Sequence, residues 1–422
     1  MSFDSFELHP LIYQAIKTVG YTQPTPIQEK AIPVALTGQD ILGLAQTGTG
    51  KTAAFVLPIL QRILTEARTD RAIRALILAP TRELAEQIHQ VFVTFGKPAR
   101  IRSVAIYGGV SMRPQLERLR ERPAVVIACP GRLLDHVRQR TIDLSKIETL
   151  VLDEADQMLD MGFIPSIRDI VKRLPEQRQT MLFSATMPEE IRALTRDFMM
   201  NPARVEVDRI APASTVSHAI FPVHQEKKTE FLFGLLKHAS PHSALVFTRT
   251  KHRAKKLADQ LAKAGYSATS LQGNLSQAKR KVAIDGFRKG KYQFMVATDI
   301  AARGIDIHHI SHVINFDMPL TTEAYTHRIG RTGRAMKLGS AMSLVSREDA
   351  SQVRAVERVL GYELKRESIP GFEEIEFQSQ QRPQGNRNRR PGNNQPGRPF
   401  RKRRRFGNRR GRPGGGQSHA RA

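Results

Sequence analysis

Two short runs of this chain carry residue types that can do chemistry together. Ala45-Gln46-Thr47-Gly48-Thr49-Gly50-Lys51-Thr52 is a glycine-rich loop ending in Lys and Thr. Loops of this kind turn consecutive backbone N–H groups toward phosphate oxygens. Gln46, Thr47, Gly48, Thr49 and Gly50 would form the cradle, closed by a helix N-terminus whose dipole favours anions. Lys51 would reach the β and γ phosphates of a nucleotide, and the Thr52 hydroxyl would ligate Mg²⁺. The general pattern opens on glycine where this chain has Ala45, which fits if its φ is negative. The second run, Asp153-Glu154-Ala155-Asp156, follows Leu150-Val151-Leu152, which reads as a buried strand. Acidic groups crowded at a buried strand end repel one another without a cation. Asp153 would hold the Mg²⁺ through water, because that ion keeps part of its hydration shell. Glu154 would orient and polarise the attacking water. Alone, the tetrad reads as an acidic helix start favoured by the helix dipole. Beside the Lys51 loop it describes a Mg-nucleoside triphosphatase.

Both runs need strands to position them, and the chain supplies two alternating series. Ile41–Leu44, Ala75–Ala79, Arg102–Ile106, Ala124–Ala128, Thr149–Leu152, Thr180–Phe183 and Arg204–Val207 read as strands of a first domain. Ala244–Phe247, Ala268–Ser270, Phe294–Ala297, His312–Asn315 and Ala341–Val345 read as strands of a second. Helical patterns separate them, among them Arg82–Phe95 with Gly96 expected at its C-cap. Pro58 predicts a kink or early end in the helix after the phosphate loop. Such alternation gives α/β domains with parallel sheets flanked by helices. The boundaries expected are residues 1–208 for the N-terminal domain, 209–217 for a linker, 218–370 for the C-terminal domain and 371–422 for a tail. No short-period repeat argues for a solenoid.

Composition narrows the class of partner. The formal charge is +26, and fourteen lysines and arginines with no acidic residue fall between Gln378 and Ala422. That leaves +12 on residues 1–377, so both parts favour a polyanion. The tail has too few large apolar residues to offset its ordering entropy and is expected to be disordered. Arg401-Lys402-Arg403-Arg404-Arg405 between Phe400 and Phe406 combines phosphate pairing with rings that stack on bases. No run approaches the roughly 18 apolar residues of a membrane span. The start, Met1 to Glu7, lacks the basic and apolar regions of a signal peptide. A single cysteine, Cys129, excludes an internal disulfide and reads as a small buried side chain at a strand end. A cytoplasmic protein is the expectation. His308-His309 lacks companion ligands and reads as surface loop, while Phe92, Phe95, Met158 and Met161 read as packing.

With these motifs in place the chain resembles the DEAD-box RNA helicases, from residue 1 to about 370. The compact core and Arg-rich tail look most like the bacterial RhlE-type proteins. The resemblance implies tandem RecA-like domains, ATP as the nucleotide and RNA, single-stranded or duplex, as the polymer. Gly20-Tyr21-Thr22-Gln23-Pro24-Thr25-Pro26-Ile27-Gln28 is similar to the adenine-reading Q motif, with Gln28 on the adenine edge. Tyr21 and an upstream ring, Phe3 or alternatively Phe6, would complete it. Arg82 in Pro80–Leu84, Gly109 in Gly108-Gly109, and Gly131 and Arg132 in Cys129–Arg132 would touch the RNA backbone. So would Arg249, Arg280 and Thr298 in the second domain, where Asp306 would bind the nucleotide ribose. Ser184, Thr186 and His327 would couple hydrolysis to strand separation, and Arg331 and Arg334 would supply the arginine finger. Cys129 departs from the usual Thr; its thiol is the weaker donor, and a backbone N–H there would be the substitute.

The mechanism so implied is closure of two domains around ATP and one RNA strand, with local unwinding of short duplexes. An arginine finger is typically worth about 10³–10⁵ in rate, so hydrolysis would await RNA-assisted closure. Ribosome assembly or RNA degradation is the setting expected by analogy. The alternative is an ATP-gated RNA clamp or annealing chaperone that never separates strands. A DNA helicase and a small-molecule kinase are weaker readings.

Overall fold

The computed structural model describes residues 2–46, 48–66, 68, 70–207, 216–302, 310–332 and 339–372. The first apolar runs become β1 (Ile41–Leu44), β2 (Ala75–Leu78), β3 (Ser103–Ile106), β4 (Val125–Ala128), β5 (Thr149–Leu152), β6 (Gln179–Ser184) and β7 (Ala203–Glu206). They form one parallel sheet in the order β3-β4-β2-β5-β6-β1-β7. Successive side chains on a strand face opposite ways. Ile41, Ile77, Val125, Val151 and Met181 therefore join one core, with helices Pro10–Val19, Pro26–Leu36, Lys51–Thr65 and Arg82–Gly96. Leu42, Leu76, Val126, Leu150 and Leu182 join the other, with helices Pro130–Arg138, Ala155–Asp160, Ile164–Val171 and Glu189–Phe198. Burial on both faces is why these strands read as unbroken apolar runs. Each fully buried Leu, Ile or Val adds about 1.5–3 kcal/mol.

The second sheet repeats the plan. β8 (Val216–Pro222), β9 (Ala244–Phe247), β10 (Ala268–Leu271), β11 (Phe294–Ala297), β12 (His312–Asn315), β13 (Gly339–Val345) and β14 (Lys365–Arg366) lie parallel in the order β10-β11-β9-β12-β13-β8-β14. Val246, Val296 and Ile314 pack under helices Lys228–Ala239 and Lys251–Lys263. Leu245, Met295 and Val313 pack under helix Gln277–Arg288. The expected α/β architecture, two parallel sheets each flanked by helices, is the observed one.

Strand order decides what meets at the carboxyl ends. β5, β6 and β1 are neighbours, with Leu152 opposite Leu182 and Leu44 opposite Ser184. The segments after Leu44, Leu152 and Ser184 thus emerge side by side. In the second sheet β11, β9 and β12 do the same for the segments after Ala297, Phe247 and Asn315.

Several local expectations need correction. Gly96 is not a cap; it is the last residue of its helix, and Lys97 follows in right-handed backbone. Its missing side chain instead makes room: a Cβ there would lie 3.3 Å from the Ile101 carbonyl oxygen and 3.5 Å from Leu60. The helix after the phosphate loop runs through Pro58 to Thr65 without ending early. Its buried face, from Ala53 to Leu60, outweighs one lost hydrogen bond. β8 and β14 were not foreseen, and β8 starts at Val216, inside the segment expected as linker. The rest of that segment, His308-His309 and the basic tail lie outside the described residues. Cys129 is half-buried. Phe92, Phe95 and Met158 are buried, and Met161 is half-buried. No described helix is long and apolar enough to cross a membrane.

Candidate functional site

The phosphate loop is pinned at its base. Ala45 N–H donates to the Ser184 carbonyl at 3.0 Å, which ties the loop to β6. Gly48 and Gly50 hold φ of 88° and 95°, a region glycine enters freely. A Cβ on Gly50 would also stand 2.6 Å from Gln28 Nε2. Gln28 is buried; its Oε1 accepts from Thr25 N–H and its Nε2 donates to Gly50 O, both at 3.0 Å. The carboxamide expected on adenine is therefore also a strut between a helix start and the loop. Thr49 Oγ1 donates to Gln46 O at 2.8 Å. Lys51 is buried, with its Nζ donating to Ala45 O at 3.0 Å, and Thr52 beside it is half-buried. A cleft of about 320 Å³ borders the loop along Gln46, Thr49, Ala185 and Thr186. Thr47 lies outside the described residues.

The rings expected at adenine divide by exposure. Phe3 and Phe6 are both buried and meet edge-on at 5.9 Å. Phe3 also packs at 6.1 Å from Tyr21, which is exposed. Of the three, Tyr21 presents its ring to solvent, and Phe3 supports it from beneath.

The acidic tetrad turns sharply out of β5. Asp153 is 2 % exposed and its N–H donates to Leu78 O at 3.0 Å. Burial lifts its carboxyl to about 6 against the pull of the Lys51 ammonium, and Glu154 and Asp156 push the same way. Among the described residues no group of three or more His, Cys, Asp or Glu is arranged to hold a metal alone. Glu154 is 3 % exposed and sits in left-handed backbone, φ 52° and ψ 52°, as the N-cap of helix Ala155–Asp160. Its N–H donates to Asp153 Oδ1 at 3.0 Å. Asp156 was not singled out from the sequence, yet it joins the site to the next strand. Its Oδ2 accepts from the N–H groups of Ala185 at 3.0 Å and Thr186 at 2.9 Å, and from Thr186 Oγ1 at 3.1 Å. Ser184 Oγ donates to Thr186 O at 2.7 Å, closing this small network. The signal was present, since Asp156 belongs to the tetrad, but its partners lie 29 and 30 residues away.

The polymer-contacting candidates of the first domain gather around β3 and β4. The Arg82 guanidinium donates to Gly108 O and lies 4.9 Å over the Tyr107 ring. Gly109 has φ 74°, and a Cβ there would strike Arg82 Nη2 at 2.4 Å. Arg132 donates to Val110 O at 3.0 Å, and Gly131 is exposed at the start of its helix. Cys129 corrects one expectation. Its own N–H donates to Ile106 O at 2.9 Å, so a backbone N–H that replaces the missing hydroxyl is not this one. Burial pushes the thiol up to about 12, so it stays neutral.

In the second domain Arg249 is exposed, its N–H donating to Asp317 Oδ2 at 2.9 Å. Thr298, half-buried, starts the short helix Asp299–Ala302 by accepting from Ala301 and Ala302 N–H groups at 3.0 and 2.9 Å. Arg280, expected on the RNA backbone, meets a carboxylate of the first domain. It is 8 % exposed, and both its Nε and Nη2 reach Glu83 Oε1, at 2.8 and 2.7 Å. Glu83 belongs to the Pro80–Leu84 segment, so this pair spans the two sheets. His327 is half-buried on helix Thr322–Ile329, and Arg331 is 6 % exposed just beyond it. Between them Arg328 was overlooked. It grips Asp299 with two bonds of 2.6 and 2.7 Å, donates to Asn315 Oδ1 and Asp317 O, and covers Phe247 at 4.9 Å. Arg328 therefore locks His327 and Arg331 against the carboxyl ends of β9, β11 and β12. Arg334 and Asp306 lie outside the described residues.

Comparison with known proteins agrees with this geometry. The family model for DEAD/DEAH box helicases matches residues 25–194, and that for the helicase conserved C-terminal domain matches residues 227–336. The chain is 43 % identical over 382 residues to a DEAD-box ATP-dependent RNA helicase CshA of Bacillus licheniformis, covering 90 % of this chain and 78 % of that one. Saccharomyces cerevisiae Dbp5 bound to RNA and ADP BeF3 superposes with a TM-score of 0.78 at 31 % identity, over 87 % of this chain and 95 % of that chain. Mss116 bound to ssRNA and UDP-BeF gives 0.79 at 28 % identity, over 89 % and 81 %.

Proposed function

The chain belongs to the DEAD-box ATP-dependent RNA helicases, and from that premise we propose how its residues divide the work. The activity is ATP-dependent remodelling of RNA by tandem RecA-like domains. The observation that carries the residue roles is the meeting of three segments at the ends of β1, β5 and β6. Lys51 moves from the Ala45 carbonyl to the β and γ phosphates, and Gln46 to Gly50 wrap them. Gln28 reads the adenine edge with Tyr21 over its face, while Phe3 buttresses Tyr21. Thr52 and Asp153 hold Mg²⁺, which supplies charge neutralisation at the phosphates when bound. Glu154 orients the water and takes its proton. Asp156 passes any shift of the tetrad to Ala185 and Thr186 through its three hydrogen bonds, and the Thr186 carbonyl passes it on to the Ser184 hydroxyl. Arg331 and Arg334 complete the γ-phosphate site from the second domain, with His327 beside them and Asp306 on the ribose.

Arg82, Gly109, Gly131, Arg132, Arg249 and Thr298 hold the sugar-phosphate backbone, so binding is tolerant of sequence. Cys129 adds little there, since its N–H is engaged with Ile106 and its thiol is a weak donor. The compact core and Arg-rich tail suggest the RhlE-type proteins, whereas the relative matched over most of the chain is a CshA-type helicase, so the assignment stays at the DEAD-box family; a cytoplasmic setting in ribosome assembly or RNA turnover follows by analogy.

A strand-displacement assay on a short RNA duplex tests the reading. Release of the labelled strand should require ATP, and RNA should stimulate hydrolysis where DNA of the same sequence does not. ATP-dependent RNA retention without strand release would instead give the clamp or annealing alternative.

A further inference from the structure

Away from the helicase groove, one cleft combines a defined shape with unpaired charge. It opens at the amino ends of β2, β3 and β4, opposite the strand ends that carry Asp153 and the phosphate loop. About 320 Å³ in volume, it is lined by Arg68, Arg71, Arg74, Arg100, Arg102 and Arg122. Asp70 and Glu121 are the acidic residues of its lining.

Two of the arginines are paired with carboxylates, Arg74 from a buried position and Arg68 from an exposed one. Arg74 is 5 % exposed and holds Glu148 at 2.6 Å and Glu66 at 2.9 Å. Arg68 holds Glu148 at 2.9 Å and Asp70 at 2.6 Å. These pairs give the cleft an ordered floor. The other four are exposed and have no carboxylate partner among the described residues. Arg102 donates to the Glu121 backbone carbonyl at 3.3 Å. Arg71, Arg100 and Arg122 stand in left-handed backbone, at φ 44°, 53° and 53°. Glycine would hold those turns with less strain. The lining includes no aromatic ring on which a base would stack.

We propose that this cleft is a second RNA-backbone site, which holds phosphates of the strand or duplex leaving the helicase groove. It rests on RNA being the polymer held in that groove. Guanidinium forks match phosphate oxygens, and a lining without rings reads backbone and not bases. Four strand residues at about 3.3 Å each separate the two ends by roughly 13 Å plus loops. A flank of several nucleotides bridges that distance. Tethered by the groove, the flank reaches the cleft at a high effective concentration, so a weak site suffices. An acidic protein would have no such tether.

The test is RNA binding by the full-length chain carrying Arg71→Gln, Arg100→Gln, Arg102→Gln and Arg122→Gln. One RNA is a short single strand that fills the groove alone; the other adds a flanking duplex. The variant should bind the short strand, and be stimulated by it, as the wild type is. Its Kd for the flanked RNA should rise about tenfold at 0.1 M salt, and its log-log salt slope should flatten by about 3, at roughly 0.7–0.9 per lost contact. Lysine at the same four positions should restore most of that slope. Wild-type affinity and slope on the flanked RNA would overturn the proposal. So would an intact slope with lost binding of tripolyphosphate or of polyglutamate, which would give the cleft to a small polyphosphate or to an acidic protein. Should the fourfold variant lose its thermal transition, Arg100→Gln with Arg122→Gln carries the same test at half the slope change. A wild-type chain unmoved by the short strand would sink the helicase reading itself, and this inference with it.

Discussion

Glu154 holds a backbone conformation that costs a glutamate about 1–2 kcal/mol. Its φ of 52° is sustained by the hydrogen bond to Asp153 and by the helix it caps. Strain of this kind persists where surrounding structure over-determines it, as in catalytic turns. Glu154→Gln keeps the size and the N-cap position while removing the base. Turnover under saturating RNA should fall by roughly 10²–10⁴, with nucleotide and RNA affinity retained. Phosphate release beside titration with a fluorescent nucleotide reads both, and turnover within threefold of wild type would take Glu154 out of the mechanism. Lys51, Asp153 and Glu154 were legible because their neighbours in sequence are their neighbours in space. Asp156 and Arg328 were less so, because their partners arrive from other strands. The buried position of Phe3 was illegible for the same reason, since a spacing says nothing of what covers a ring.

At the level of elements, apolar runs buried on both faces announced most strands, and their edges moved by a residue or so. β14 gave no such signal: Lys365 and Arg366 are both exposed and attach to β8 by backbone pairing alone. Helix Ala350–Leu360 shows how a polar cluster fixes an element that apolar patterning only places. Asp349 at its start accepts from Ser346 N–H and Oγ, both at 2.9 Å, and from the buried Lys228 ammonium at 3.2 Å. Burial pushes the Asp349 carboxyl up, but the Ser346 and Lys228 hydrogen bonds and the Lys228 charge outweigh it and leave it below its ordinary 3.8. A carboxyl depressed in the folded state contributes stability above its unfolded pKa and loses it as pH falls through the folded value. The wild-type second domain should therefore lose stability below about pH 4 more steeply than Asp349→Asn. At neutral pH the substitution should cost about 3 kcal/mol, because the buried Lys228 loses its carboxylate partner. Urea unfolding across that pH range checks both, and parallel pH profiles would refute the assignment.

Across the whole molecule, function depends on two sheets acting as one, and the Glu83–Arg280 pair is a direct link between them. Arg280 is buried and also donates to Ala301 O at 3.3 Å, so its guanidinium is held from both sides. Sequence placed it among RNA contacts, which charge and motif position favoured; only the meeting of the domains reveals Glu83 as its partner. The two roles differ in what they predict. If Arg280 acts on RNA by itself, Glu83→Gln and Arg280→Gln add independently in RNA-stimulated hydrolysis. If it acts as a strut, removing Glu83 strands a buried charge and removing Arg280 a half-buried one, and the second substitution then costs little. We expect the strut, with a coupling energy of about 1–3 kcal/mol in the double-mutant cycle. Each single variant should lose roughly ten- to a hundredfold in stimulated kcat/KM, against a similar loss in the double variant. Short-strand RNA affinity in the absence of nucleotide separates the cases further, because a strut between domains has no effect there while a phosphate contact weakens it. Additive losses together with weakened nucleotide-free binding would return Arg280 to the RNA groove.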